Sequence, residues 1–272
     1  MPQLIEQLIA PKTGDPAQCE DGIFTGAHYI AVIDGVTSKP GTRWNGKTGG
    51  FLAKEAILRA LPELAPEASC EQGILFLNDA LKRAYGSRYE QARSDRSLRM
   101  QANCILYSIR RREIWAFGDC CCRLRGKIYS HKKRVDAVVE QARALYLELA
   151  LLRGETEQSL MRNDPGRAFI MPLLEQQYLL ANGVGPFAYP VLDGFPIHPE
   201  QTVVYQVGPG EEVVLASDGY PLLLQTLEKS EAALRRILKE DPLCMREYPS
   251  TKARRPGAAS YDDRTYIRFI AD

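Results

Sequence analysis

Apolar residues recur along this chain with two periods, and the switches between them mark out helices and strands. The first unbroken apolar run, 29–33, is too short for a helix, carries β-branched residues and stops at Asp34-Gly35, which predicts a strand. A loop over 37–47 containing Gly, Lys and Pro follows. The spacing then turns helical: Phe51, Leu52, Ile57, Leu58 and Leu61 share a face, Thr48 stands at the N-cap, and Pro62 and Pro66 close the helix. A second helix is predicted over 71–92, with Ile74, Leu75, Leu77, Leu81 and Tyr85 on its buried side.

From residue 103 the pattern reads as strands. Segments 103–109 and 114–117 flank a turn at Arg110-Arg111-Arg112, and 120–124 and 127–129 bend at Gly126, so the region predicts an antiparallel meander. An amphipathic helix over 135–152 ends near Gly154. Segment 155–182 shows no clear period and contains a predicted loop at Asn163-Asp164-Pro165-Gly166. Strands at 202–207 and 213–216 are joined by a Gly-Pro-Gly turn, then come a short helix (231–239), a polar stretch (241–256) and a last strand (265–270). Paired helices separated by antiparallel strands predict an α+β layered fold rather than a doubly wound parallel sheet. Nothing between the first and last strands has the composition of a linker. One domain over 1–272 is expected, with an inserted helical flap at about 131–200.

Composition narrows the classes. With 45% hydrophobic and 25% charged residues the chain is globular, and a core of this size needs no metal to fold. Net charge is +1, so no global field draws in nucleic acid or an anionic membrane, and neither is an expected partner. No apolar run approaches the roughly 20 residues that span a bilayer, and residues 1–10, with Glu6, lack the basic start and apolar core of a signal peptide. A cytoplasmic location is expected. The seven cysteines show no C-x-x-C spacing; Cys120, Cys121 and Cys122 on one strand would point to alternate faces and could not converge on a metal.

The candidate chemistry lies in acids at the ends of apolar runs. Glu20-Asp21 precedes the first predicted strand, Asp34 ends 31–33, Asp119 ends 114–118, Asp218 ends 213–217 and Asp262-Asp263 opens the last strand. Singly, such acids are most often solvated turn formers. Five sites together fit a hard divalent cation, which takes several oxygen ligands held on rigid strand ends.

In order, these elements resemble the metal-dependent type 2C (PPM) protein phosphatases over nearly the whole chain. The residues that carry the resemblance are Cys19-Glu20-Asp21, Val32-Ile33-Asp34-Gly35, Gly49-Gly50 with Ala53, Gly118-Asp119-Cys120-Cys121, Leu215-Ala216-Ser217-Asp218-Gly219 and Asp262-Asp263-Arg264-Thr265. The resemblance implies a four-layer αββα sandwich, two antiparallel sheets flanked by helix pairs, with two Mn2+ or Mg2+ ions at one end. It implies that Asp34 bridges both ions, that Asp218 and Asp262 complete one shell, and that Glu20 and the Gly35 carbonyl hold the other. Asp21 would orient a metal-activated water, and Asp119 a weaker third ion. The implied activity is hydrolysis of phosphoserine or phosphothreonine on a protein substrate.

Departures bear on that expectation. Val36 stands where many members carry a histidine, Lys12 is the cation offered where an arginine grips the substrate phosphate, Asn103 replaces a small residue, and Asp263 replaces an asparagine. Arg254 and Arg255, just before Asp262, are either a phosphate-drawing pair or a solvated loop. A haloacid-dehalogenase-type site needs a second acid two residues after Asp34, and Val36 rules it out. The alternative to an enzyme is a phosphatase fold kept as a phosphoprotein-binding regulatory module. Retention of so many acids opposes it, because they repel unless cations offset them.

Overall fold

The computed structural model describes residues 1–37, 41–44 and 46–272. Strands β1 (Gln3–Ala10), β2 (Asp21–Thr25) and β3 (Tyr29–Gly35) lead through a short ribbon, β4 (Arg43–Trp44) and β5 (Lys47–Thr48), into helices α1 (Gly49–Ala60), α2 (Cys70–Ala84) and α3 (Tyr89–Ser94). Next come β6 (Ala102–Ser108), β7 (Glu113–Phe117), β8 (Cys121–Leu124) and β9 (Lys127–Tyr129). Helices α4 (Arg134–Leu152), α5 (Glu157–Asn163) and α6 (Pro165–Gln176) follow, then β10 (Val203–Gln206), β11 (Glu212–Ala216), α7 (Leu227–Glu240) and β12 (Arg264–Ile270). Ten strands form two five-stranded antiparallel sheets, ordered β1-β12-β11-β8-β9 and β10-β7-β6-β3-β2.

The strand alternation decides the layers. On β3, Ile30 and Val32 face inward and pack with Ile105, Tyr107, Leu215, Ile267 and Phe269 between the sheets. Tyr29, Ala31 and Ile33 face outward onto Ile57, Leu61, Ile74 and Leu77 of the α1–α2 layer. The other sheet turns Val214, Ala216 and Tyr266 outward against Tyr220, Leu223 and Leu227, at the start of α7. Each such aliphatic side chain removed from water contributes about 1.5–3 kcal/mol, so the two sheets are held mainly by the core between them. The layers are helices, sheet, sheet, helix, the αββα order expected. Cys120 and Cys122 lie in the inter-sheet core and Cys121 on the opposite face, as alternation requires. No helix among the described residues is long and apolar enough to cross a membrane.

Several elements depart from the expected ones for identifiable reasons. Strand β1 carries no clean period because it is an edge strand whose Leu4, Ile5 and Ile9 stay exposed. The predicted helix over 71–92 stops at Ala84, since Gly86 takes the left-handed conformation (φ 54°) and the chain re-forms a helix only at Tyr89. The expected meander is split: β7 and β8 belong to different sheets, and so do β10 and β11. The Gly-Pro-Gly segment is thus a crossing between sheets rather than a hairpin turn. Residues 163–166 are a tight helix junction, not a loop, in which Asp164 (φ 35°) caps α6 by accepting from the Arg167 N–H at 2.9 Å. Behind it, the fully buried Arg143 of α4 donates to Asp164 (2.9 Å) and to the carbonyls of Leu243, Cys244 and Ser250. Arg143 thus fastens α4–α6 to the 243–250 segment, beside the apolar packing of Leu243 and Met245 on Ala144, Leu147 and Leu160.

The end of β3 meets the start of α1 backbone to backbone. A Cβ on Gly35 would lie 2.3 Å from the Gly50 carbonyl oxygen and 2.8 Å from that of Glu20. One on Gly50 would lie 2.7 Å from the Gly35 carbonyl carbon. Gly50→Ala must push β3 and α1 apart, at a cost of about 2–3 kcal/mol. The thermal midpoint should fall by about 5–10 °C, read by calorimetry in chelator; a change under about 2 °C would show that the contact is not tight.

Candidate metal centre

Four strand ends converge at one end of the sandwich. In β3, Asp34 stands in register between Asp21 of β2 and Asn103 of β6, and the Asn103 amide donates to Asp34 Oδ2 at 3.1 Å. Gly118, with φ 97°, packs so closely on Asn103 that a Cβ there would lie 2.2 Å from Asn103 Oδ1. That left-handed turn carries the chain from β7 to β8 and delivers Asp119 beside Asp34. Asp218 follows β11. One carboxylate oxygen from each of Asp34, Asp119 and Asp218 lies within 4.8 Å of the other two. They line a cavity of about 250 Å³ whose wall includes Gly35, Val36, Lys133, Lys252, Tyr261 and Asp262.

Electrostatics makes this cluster unstable as three bare charges. Burial, then repulsion from Asp21, Asp119 and Asp262, pushes the Asp34 carboxyl well above the ordinary range. Asp218 is more exposed, but the protein crowded around its carboxyl, then Asp34 and Asp119, shifts it in the same direction. Asp119 is buried; its Oδ2 pairs with Lys133 Nζ at 2.5 Å, while its Oδ1 is enclosed with no hydrogen-bond partner among the described residues. An all-oxygen set with an unused buried carboxylate oxygen fits a hard divalent cation, Mg2+ or Mn2+, better than a soft one.

The other expected site residues are placed differently. Asp262 lines the same cavity, but its carboxylate faces Lys252 Nζ at 2.5 Å and Lys12 Nζ at 3.2 Å. Burial opposes the charge there, yet the two ammonium groups outweigh it and hold Asp262 well below the usual carboxylate range. The acids whose oxygens converge are thus Asp34, Asp218 and Asp119, with Asp262 one step away. Glu20 accepts from Thr48 Oγ1 at 2.5 Å and from Thr37 Oγ1, and has Lys12 Nζ at 3.7 Å. Gly35 donates its N–H to the Glu20 carbonyl at 3.0 Å. Asp21 is buried and accepts from Ser217 Oγ (2.6 Å) and Thr265 Oγ1 (3.0 Å), tying together the ends of β2, β11 and β12. Burial, reinforced by Asp263, Asp262 and Asp218 and opposed by the Ser217 bond, pushes Asp21 up to about 8. Asp263 is buried and accepts from the backbone N–H groups of Lys12 (2.8 Å) and Glu20 (3.1 Å).

Lys12 therefore lies among the acids, touching Asp262, Asp263 and Glu20. Arg254 and Arg255 line a second, larger groove of about 920 Å³ that shares Thr37, Lys252 and Tyr261 with the acid cavity. Of the 37–47 loop, Arg43 and Lys47 line that groove, while Lys39 lies outside the described residues. Sequence reasoning missed Lys133, Thr37 and the second role of Thr48. Thr48 does cap α1, accepting from the Phe51 N–H at 3.2 Å, and its hydroxyl hydrogen is thereby left for Glu20.

No protein-family model matches the sequence, and no curated protein matches it. Solved structures do match along the full length. The catalytic domain of the serine/threonine protein phosphatase PstP in complex with two manganese ions aligns with a TM-score of 0.50 and 16% identity, covering 100% of both chains. The Mycobacterium tuberculosis serine/threonine phosphatase PstP/Ppp aligns at 0.49 and 15%, covering 99% of each, and RsbX in complex with magnesium at 0.46 and 13%, covering 100% of each. The match to the manganese-bound PstP domain shows that the resemblance to the type 2C phosphatases is one of fold.

Removing one charge from a repelling trio should relieve it. In chelator, Asp34→Asn should melt at the same temperature as the wild-type chain or higher. Saturating Mn2+, at about a hundredfold over its dissociation constant, should add about 2.7 kcal/mol to the wild type, several degrees by calorimetry, and nothing to the variant. An equal shift in both chains would remove Asp34 from the metal centre.

Proposed function

We propose that this chain hydrolyses phosphate monoesters with the help of Mn2+ or Mg2+, acting as a serine/threonine phosphatase on phosphorylated protein. The convergence of Asp34, Asp119 and Asp218 in one cavity carries this assignment. These three residues would hold a first divalent ion. Asp262, Glu20 and the Gly35 carbonyl are the groups available to a second. When bound, such ions lower the pKa of a water and neutralise charge on the phosphoryl oxygens. Asp21, locked between Ser217 and Thr265, keeps β2, β11 and β12 in register behind the acids. Lys133 and Lys252 project into the cavity wall and bring positive charge toward a phosphate carrying close to two negative charges. Lys12, released from Asp262 and Glu20 by an incoming cation, would be a third such donor. Val36 lines the cavity at the position next to Asp34-Gly35, and no histidine does so among the described residues. A serine or threonine leaving group then takes its proton from water, so an aryl phosphate, whose phenolate leaves without one, should turn over faster.

A specific observation favours a second assignment, a phosphoprotein-binding module without turnover. Glu20 and Asp262 are already engaged by the protein's own hydroxyl and ammonium groups. Steady-state assays with p-nitrophenyl phosphate and a phosphothreonine peptide separate the two. Hydrolysis should require Mn2+ or Mg2+, stop with chelator and fall by about a thousandfold or more in Asp34→Asn, as expected for loss of a group acting directly in transition-state stabilisation. Metal-independent turnover, or full activity in Asp34→Asn, would sink the hydrolase; absence of turnover with retained phosphopeptide binding would support the module.

A further inference from the structure

The larger groove beside the acid cavity is lined by eight cations, of which Lys12 and Lys252 pair with Asp262 while the other six pair with no acid among the described residues. Arg43, Lys47, Arg162, Arg167, Arg254 and Arg255 all line it, and none of the six is in an ion pair among the described residues. What they do contact is neutral: Arg43 donates to the Gly46 carbonyl, Lys47 to that of Ala17, Arg162 to that of Gln158 and Arg167 to that of Thr251. The two acids on the groove wall are committed elsewhere. Asp164 takes the buried Arg143, and Glu20 takes Thr37 and Thr48. Burial, together with repulsion from Arg143 and Arg255, lowers the proton affinity of Arg167 despite the pull of Asp164. Like charges are thus held close together around an open volume of about 920 Å³.

We infer that this groove receives an acidic stretch of a protein substrate, with carboxylate or phosphate groups falling to Arg162, Arg167, Arg254 and Arg255. The inference rests on the proposed hydrolase only for the placement of the scissile phosphate. Guanidinium forks match such groups bidentately, and Met161, Met171 and Pro256 add apolar wall for intervening side chains. Continuity with the acid cavity through Thr37, Lys252 and Tyr261 lets one extended segment occupy both. A nucleic acid is disfavoured, because single strands need aromatic faces for stacking. The groove offers Phe51, whose ring already carries Lys47 and Lys54 at 4.2 and 4.0 Å, and Tyr261, which is buried. The cations come from the α5–α6 insertion, the β4–β5 ribbon and the segment before Asp262, so three separate parts of the chain select the substrate.

Fluorescence anisotropy in chelator tests the groove without turnover. The probes are a fluorescein-labelled peptide of alternating glutamate and alanine, the same peptide with glutamine, and a labelled single-stranded DNA of equal charge. The glutamate peptide should bind, the glutamine peptide should not, and affinity should fall about tenfold or more as salt screens the contacts. Arg162→Glu with Arg255→Glu should abolish binding at an unchanged melting temperature, while Arg162→Lys with Arg255→Lys retains most of it. Equal binding of both peptides, undiminished binding after charge reversal, or tighter binding of the DNA would each overturn the inference. Peptide binding without metal-dependent turnover would instead leave the groove assigned and remove the hydrolase.

Discussion

Like charges gathered at one end of the β-sandwich are the constraint on which the rest of the molecule depends. Asp21, Asp34, Asp119, Asp218, Asp262 and Asp263 sit on or beside the ends of β2, β3, β7, β11 and β12, and several feel one another strongly enough to shift their ionisation. The chain answers with single lysines from separate places. Lys12 follows β1, Lys133 precedes α4, and Lys252 lies in the segment before β12. Each loop is drawn to the sandwich end by the acid it meets, so the order of the loops and the charge of the site are one problem. A pair broken on one side leaves a buried charge uncompensated, which is far costlier than never forming the pair.

Helices α4–α6 are coupled to that end through two arginines as well as through apolar packing on Leu243 and Met245. Arg143 reaches from α4 through the α5–α6 junction to three carbonyls of 243–250, and Arg167 reaches to the Thr251 carbonyl at 2.7 Å. The next residue is Lys252. The same fastening therefore sets where an ammonium group meets Asp262 and where the arginines of α5 and α6 stand along the neighbouring groove.

Much of the fold was legible because strands that are buried on both faces write long apolar runs: β3, β6, β7, β11 and β12 fall close to their predicted places. Strand β1 was not, since its pairing slips between Leu4 and Glu6 and its Leu4, Ile5 and Ile9 stay exposed, so hydrophobicity does not follow burial there. The break after Ala84 depended on one glycine taking φ > 0, and the crossing at Gly118 on its close contact with the Asn103 side chain; neither leaves a periodic trace. The same division holds at the site. Asp34, Asp119 and Asp218 announce themselves by ending apolar runs, because strand ends of a sandwich must meet. Lys133, Thr37 and the double use of Thr48 come from loops and caps, whose approach is fixed only once the acids have been assembled. Asp262 illustrates the limit: its position in the chain marks it as a strand-end acid, while its partners, two lysines 250 and 10 residues away, are a matter of tertiary packing.

The cysteines acquire a use from where they lie. Burial pushes the thiols of Cys104 and Cys122 up to about 12, and raises Cys120 and Cys121 too, so essentially none is ionised at neutral pH. Sulfur in that state neither attacks an electrophile nor yields readily to peroxide. The sandwich interior is accordingly inert to oxidants that would silence a catalyst working through a thiolate. It also contains its own clock: a thiol-reactive dye can reach Cys120 and Cys122 only when the two sheets part, so the rate of labelling times how often they do.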